Sequence, residues 1–240
     1  MEEVLLLGLL TLMGAAVGTA TGFGTSTVMI PVLSLWLPFP IVLLFVGIIH
    51  FFGDVWKVIL FKKGLNLKLA LTFGIPGLVA SYLGASLSFY GSELPLKRIL
   101  GAFLLSYVAF LLTKRQWQVP QNPVTAVSGG ALSGLLAGFF GVGGAVRGAF
   151  LAAFNLPKEV YIFTSGVIAL FIDITRITRY IVGGTLLDIN LLYALILCVP
   201  VSFAAAYLGK LMLNKIPQRF FRTFVAVFLA LVAAKLLLWS

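Results

Sequence analysis

Charged side chains are scarce in this 240-residue chain: Asp, Glu, Lys and Arg together make up 10%, where a soluble domain carries roughly a quarter. That scarcity excludes an ordinary solvated surface. A hydrophobic content of 61% and a mean hydropathy of +1.12 exclude disorder. Acids are rarest, seven against seventeen Lys and Arg. In a soluble protein the net charge of +10 would suggest nucleic acid. In short loops between apolar runs, basic residues set topology instead, and no nucleic-acid partner is expected. A single cysteine, Cys198, excludes a disulfide framework and a multi-cysteine metal site. The single histidine, His50, has no second His or Cys nearby in sequence, which argues against a metal centre. No P-loop, nucleotide signature or nucleophile–base motif is present, so neither a cofactor nor soluble-type catalysis is expected. The start, Met-Glu-Glu and then apolar residues, lacks the basic region of a cleaved signal peptide, so the first segment is expected to stay.

What the chain does have is repeated apolar runs near the roughly 20 residues that cross a hydrocarbon layer as a helix. Gly, Pro and charge punctuate it into ten segments, at about 4–22, 26–37, 40–61, 69–90, 95–113, 123–139, 144–155, 159–181, 189–212 and 219–239. Two of them, 26–37 and 144–155, would reach only about 18 Å at 1.5 Å per residue and read as half-helices. The expected fold is an all-α polytopic protein, multi-pass in the cell (cytoplasmic) membrane, with the lipid bilayer as its medium.

The chain is also duplicated. Gly14, Gly18 and Gly22-Phe23 reappear as Gly130, Gly134 and Gly138-Phe139, and Gly24 reappears as Gly141. Further on, Leu37-Pro38 matches Leu156-Pro157, Gly47 matches Gly166, Asp54 and Lys57 match Asp173 and Arg176, Pro76 matches Pro200, and Tyr82-Leu83-Gly84 matches Tyr207-Leu208-Gly209. The halves are 1–113 and 123–240, joined by a polar linker over 114–122. Equivalent loops carry opposite charge bias: Lys62, Lys63 and Lys68 answer a loop near 183–190 that has only Asp188. With five segments per half, Lys62, Lys63, Lys68, Lys114, Arg115, Lys158, Lys210, Lys215, Arg219 and Arg222 fall on the cytoplasmic side, and Lys97 and Arg98 outside. This predicts two inverted repeats, each with one short broken helix, a cytoplasmic linker and both termini outside.

Two features could carry chemistry. Gly22-Phe23-Gly24-Thr25-Ser26-Thr27 opens one half-helix and Gly141-Val142-Gly143-Gly144 the other. A glycine-rich break at a helix start presents free N–H groups and a positive dipole end, which suits an anion; a packing bend is the plainer reading, and two equivalent copies favour the anion. Thr25, Ser26 and Thr27 add hydroxyls to the first break and Arg147 adds a cation to the second. The other feature is ionisable groups in apolar segments: Asp54 with Lys57, and Asp173 with Arg176, each pair on one helix face, with His50 one turn before Asp54. These are candidate coupling or gating residues, or intrahelical ion pairs. Each acid is expected to keep to its own cation. Arg147, with no acid near in sequence, is expected to face a cavity or a carboxylate of the other half.

The glycine breaks, the half-helix with Pro31, the Leu37-Pro38 and Leu156-Pro157 turns and the duplicated layout resemble the TauE/SafE sulfite exporter family over essentially the whole chain. The resemblance implies a secondary transporter, an exporter of sulfite, sulfoacetate or related organic anions, working by alternating access and not an enzyme. The substrate would sit at Gly22, Gly24, Gly141, Gly143 and Gly144. The chain departs from the family pattern with Thr25-Ser26-Thr27 in place of a further glycine run, and with Gly148 where the first half has Pro31. An anion channel is the alternative within transport, and an intramembrane enzyme or maturation factor using His50, Asp54 and Asp173 is one from another class. The sequence leaves a homodimer open.

Overall fold

A computed structural model describes residues 2–21, 24–62, 64–113, 119–152, 154–212 and 218–238. Gly22, Phe23, Lys63, Lys114, Arg115 and Lys215 lie outside the described residues, as do the side chains of Arg219 and Arg222. The described residues form helices and no strand: α1 (Glu2–Thr21), α2 (Ser26–Leu33), α3 (Phe39–Leu60), α4 (Leu67–Leu87), α5 (Glu93–Thr113), α6 (Pro123–Phe140), α7 (Gly143–Ala152), α8 (Lys158–Val182), α9 (Ile189–Met212) and α10 (Gln218–Leu238). Six of these, α3, α4, α5, α6, α8 and α9, are long and apolar enough to cross a membrane.

The half-helices are shorter than expected, eight residues for α2 and ten for α7. Composition stays apolar through 34–37, but Ser34 turns its hydroxyl onto the Ile30 carbonyl at 2.7 Å and Pro38 disfavours helical geometry in the residue before it. After α7 the chain turns at Asn155, whose φ of 47° no helix accepts. Pro38 and Pro157 then start α3 and α8 with nearly the same backbone angles (−57°, 134° and −52°, 140°). Gly24 and Gly141, ahead of α2 and α7, share the left-handed region with φ of 82° and 73°. Equivalent positions of the duplicated sequence thus have matching local geometry.

Side-chain contacts fix the helix directions. Along α3 and α8, Gly47 faces Arg176, His50 faces Asp173, and Gly166 faces Lys57 and Val58, so the two helices run antiparallel. α4 runs parallel to α6, with Phe73, Gly77 and Ser81 facing Gly130, Gly134 and Gly138 in turn. α1 runs parallel to α9, where Gly8 meets Leu197 and Gly209 meets Thr19. Trp56 bonds Ser202 at 3.0 Å and Lys210 bonds the Leu60 carbonyl at 2.9 Å, so α3 is parallel to α9. Ser81 and Ser86 of α4 bond Ile172 and Arg179 of α8, so that pair is parallel too. α1, α3 and α9 therefore point one way and α4, α6 and α8 the other.

These directions gather the charges at one end. Gly64 lies against Val160, and Asn66 N–H donates to the Thr164 hydroxyl at 3.1 Å, which places Lys62, Lys68, Lys158 and Lys210 together. The loop after α8 and the Glu93–Lys97 pair lie at the other end, where Glu93 accepts from the Phe39 N–H at 3.3 Å.

The closest packing is between α4 and α6. A Cβ on Gly134 would overlap the Gly77 carbonyl oxygen, and one on Gly130 or Gly138 the carbonyls of Phe73 or Ser81. With the hydrophobic effect absent between helices in lipid, such backbone contact is what holds them. Gly134→Ala is expected to cost about 1–3 kcal/mol or more through overpacking and to lower both folded yield and Tm in detergent. Gly8→Ala, which meets only the Leu197 side chain at 3.3 Å, is expected to leave both within error.

Candidate functional site

The antiparallel crossing of α3 and α8 brings the ionisable residues of both halves together. Asp54 holds Lys57 Nζ at 2.8 Å and Asp173 holds Arg176 Nε at 2.7 Å, the two intrahelical pairs expected from their spacing. His50 joins them. Its Nδ1 lies 2.7 Å from Asp173 Oδ2 and 3.1 Å from Asp54 Oδ2. Each acid thus keeps its own cation, and His50 adds a bridge between the pairs: one buried chain, Lys57–Asp54–His50–Asp173–Arg176, spans both halves. All five residues are at most 6% exposed. The contact between His50 and Asp173 crosses 123 residues of sequence, beyond any local spacing rule. Ala169, the counterpart of His50, supplies no second imidazole, so two cations and two carboxylates share one histidine.

His50, Asp54 and Asp173 also bring three potential ligand atoms within 4.8 Å, closer than sequence spacing implies for a cation site. Both carboxylates are already neutralised by Lys57 and Arg176, and the arrangement is that of a closed ion-pair network.

The second ring nitrogen of His50, Nε2, has no hydrogen-bond partner and faces the first glycine break, where a Cβ on Gly24 would come within 2.8 Å of it. The same Cβ would stand 3.6 Å from the Gly144 Cα, so the starts of α2 and α7 meet beside the imidazole. Two helix N-termini, with the positive ends of their dipoles, converge there, although in α2 the Thr27, Val28 and Met29 N–H groups already return to the Gly24 and Thr25 carbonyls.

Arg147, 2% exposed, projects from α7 and donates from Nε to the Ser165 hydroxyl at 3.0 Å. Among the described residues it forms no ion pair. It lines a cavity with Thr19 of α1, Asp54 and Lys57 of α3, and Tyr161 and Ser165 of α8. The Thr19 hydroxyl there has no hydrogen-bond partner. The cavity carries two cations and one carboxylate.

Of the residues expected at the site, the structure brings together Gly24, Gly144, His50, Asp54, Lys57, Asp173, Arg176 and Arg147. Thr25, Ser26 and Thr27 are buried in the first turn of α2 and do not line the cavity; the Thr25 hydroxyl faces Gly53 of α3. Gly143 is used for packing, since a Cβ there would overlap the Ser133 carbonyl of α6. Gly141 ends α6 as its left-handed cap, its N–H returning to Ala137. Sequence reasoning missed Thr19, Tyr161 and Ser165. For the last two a signal existed: Tyr161, Ser165, Asp173, Arg176 and Tyr180 form one stripe of α8 at helical spacing, broken only at Ala169.

This arrangement of buried cations beside broken helices sits in a chain that matches the family described as Sulfite exporter TauE/SafE over residues 6–236. The chain belongs to that family. No curated protein and no solved structure matches it. The family and the apolar helices together make it a multi-pass membrane protein.

Asp173→Asn removes the charge opposite both Arg176 and His50 and should cost about 3–5 kcal/mol, the penalty for leaving one buried partner uncompensated, seen as a large fall in Tm in detergent. Glu93→Gln, breaking a pair whose carboxylate is 44% exposed, should shift Tm little. Equal shifts would show that the network adds nothing to stability.

Proposed function

We propose that the chain is a secondary carrier that exports sulfite or a closely related small sulfur oxyanion, binding it in the cavity lined by Arg147 and Lys57. The observation that carries this reading is the cavity's charge: two buried cations against one carboxylate, beside two converging helix N-termini. A small oxyanion supplies the missing negative charge, and the planar fork of Arg147 matches two of its oxygens. Ser165, Tyr161 and Thr19 offer hydroxyls for a third. Gly24 and Gly144 contribute close backbone approach, and Thr25, Ser26 and Thr27 set the first turn of α2 behind it.

The halves 1–113 and 123–240 act as inverted repeats about a two-fold axis in the membrane plane, with 114–122 as the cytoplasmic linker. The antiparallel crossing of α3 and α8 supports this, as do the opposite directions of the α1–α3–α9 and α4–α6–α8 sets. The lysine-rich end faces the cytoplasm, so the cavity, with Lys57 and Tyr161 near that end, opens inward. Access alternates as one bundle rocks against the other around the shared network. His50, Asp54 and Asp173, with Lys57 and Arg176, serve as the coupling and gating element, because any movement of α3 against α8 must stretch or remake their contacts.

Two outcomes test this. In a Cys198→Ala background, Leu65→Cys and Leu186→Cys should react with an impermeant reagent from opposite sides of the membrane; labelling from the same side would exclude the inversion. In proteoliposomes screened with sulfite, sulfate, thiosulfate, sulfoacetate and carboxylates, sulfite should be carried with saturation. Arg147→Ala should weaken its binding by roughly tenfold or more, the worth of a charge-assisted hydrogen bond, without loss of folded protein. Unchanged affinity would remove Arg147 from the site, and non-saturating, voltage-driven current would replace the carrier with a channel.

A further inference from the structure

The two glycine breaks differ in what stands behind them. At the first, six residues after Gly24, the chain has Ile30; at the second, six after Gly141, it has Arg147. Arg147 lines a cavity. Ile30 is fully buried, and its Cδ1 occupies the place a Cβ on Gly141 would take, with Leu43 Cδ2 3.2 Å from the same point. One side of the duplicated frame therefore holds a small polar cavity, and the other is apolar and plugged.

Behind the plug sits a guanidinium that Asp173 and the Tyr180 hydroxyl hold but that keeps one nitrogen unpaired. Arg176 is 1% exposed; its Nε serves Asp173, yet its Nη1 has no hydrogen-bond partner. That nitrogen lies 3.2 Å from the Cβ position of Gly141 and so is aimed at the second break. Buried guanidinium N–H groups are nearly always paired, so an orphan directed at a glycine with φ of 73° is a donor available to a ligand. Ser165, in the Arg147 cavity, and Arg176 are eleven residues apart on α8, which at 1.5 Å per residue puts about 16 Å between the two sites along the helix.

From these observations we infer that Arg176 and the backbone at Gly141 form a second subsite for a small oxyanion, at the end away from the lysine-rich loops, which Ile30 seals in this conformation. Withdrawal of α2 takes Ile30 out of the break and frees both Nη1 and the space over Gly141. The anion then has a cationic fork on each side of His50, Arg147 before it and Arg176 beyond it, and Ile30 keeps the two from being open together. This inference rests on the carrier reading above and adds the residue that receives substrate at the far face.

The test measures sulfite flux in oriented proteoliposomes, with the half-saturating concentration determined separately at each face. Arg176→Lys keeps a cation opposite Asp173 but removes the fork. It should raise the half-saturating sulfite concentration at the far face about tenfold and leave that at the lysine-loop face unchanged. Ile30→Ala should lower the far-face value several-fold by easing removal of the plug. If Arg176→Lys instead lowers the amount of folded protein or the maximal rate while both half-saturation values stay put, Arg176 is a counter-ion only and the inference is overturned. Should that variant fail to fold, Ile30→Ala decides: an unchanged far-face value overturns the inference. Arg147→Ala, run alongside, reports on the carrier site: it should raise the half-saturating concentration at the lysine-loop face, and no change there would overturn the carrier reading separately from the Arg176 result.

Discussion

The structure depends on one buried chain of charge, Lys57–Asp54–His50–Asp173–Arg176, strung across the antiparallel crossing of α3 and α8. In an apolar interior each member is tolerable only because its neighbours are present: the acids neutralise the cations of their own helices, and the imidazole joins the acids of different helices. The network therefore sets the register of the two central helices, and through Pro38 and Pro157 at their starts it places α2 and α7. The half-helices then meet at Gly24 and Gly144 because α3 and α8 cross where they do. The geometry of a potential anion site follows from the satisfaction of a few charges elsewhere.

Around that centre, shape does the work that charge does within it. α4 approaches α6 through glycines whose missing side chains admit a carbonyl oxygen of the opposite helix, while α1 approaches α9 through Gly8 and Gly209. Both pairs join helices from different halves. The two halves of the chain are thus interleaved rather than packed as separate cores.

Much of this was legible before the coordinates. Helix number and class follow from apolar length, and the positions of the breaks follow from glycine clusters that no continuous helix would choose. The Asp54–Lys57 and Asp173–Arg176 pairs follow from three-residue spacing. What sequence could not supply was contact between segments far apart in the chain: His50 with Asp173, Nη1 of Arg176 with Gly141, Ile30 in the break. The half-helix lengths were overread because composition stays apolar past Leu33 and Ala152, where a serine turn before Pro38 and a left-handed Asn155 end them for geometric reasons. The cavity residues Tyr161 and Ser165 were missed because uncharged polar groups in an apolar helix raise no alarm unless the whole stripe is read at once.

The α1–α9 pairing also bears on how the protein is made. α1 leaves the ribosome first, but the helix it lies along begins at Ile189. At roughly 5–20 residues per second, α1 waits about 10 to 35 seconds in the bilayer before its partner exists. During that interval its Gly8 face has only lipid or the insertion machinery beside it, while the Thr11 hydroxyl is already bonded to the Leu7 carbonyl of its own helix. α6 has no such delay, because α4 is already in place when it emerges. Translation speed and chaperoning within the membrane should thus matter most for the first helix, and a pause late in the message would prolong the period in which that helix can be lost to degradation.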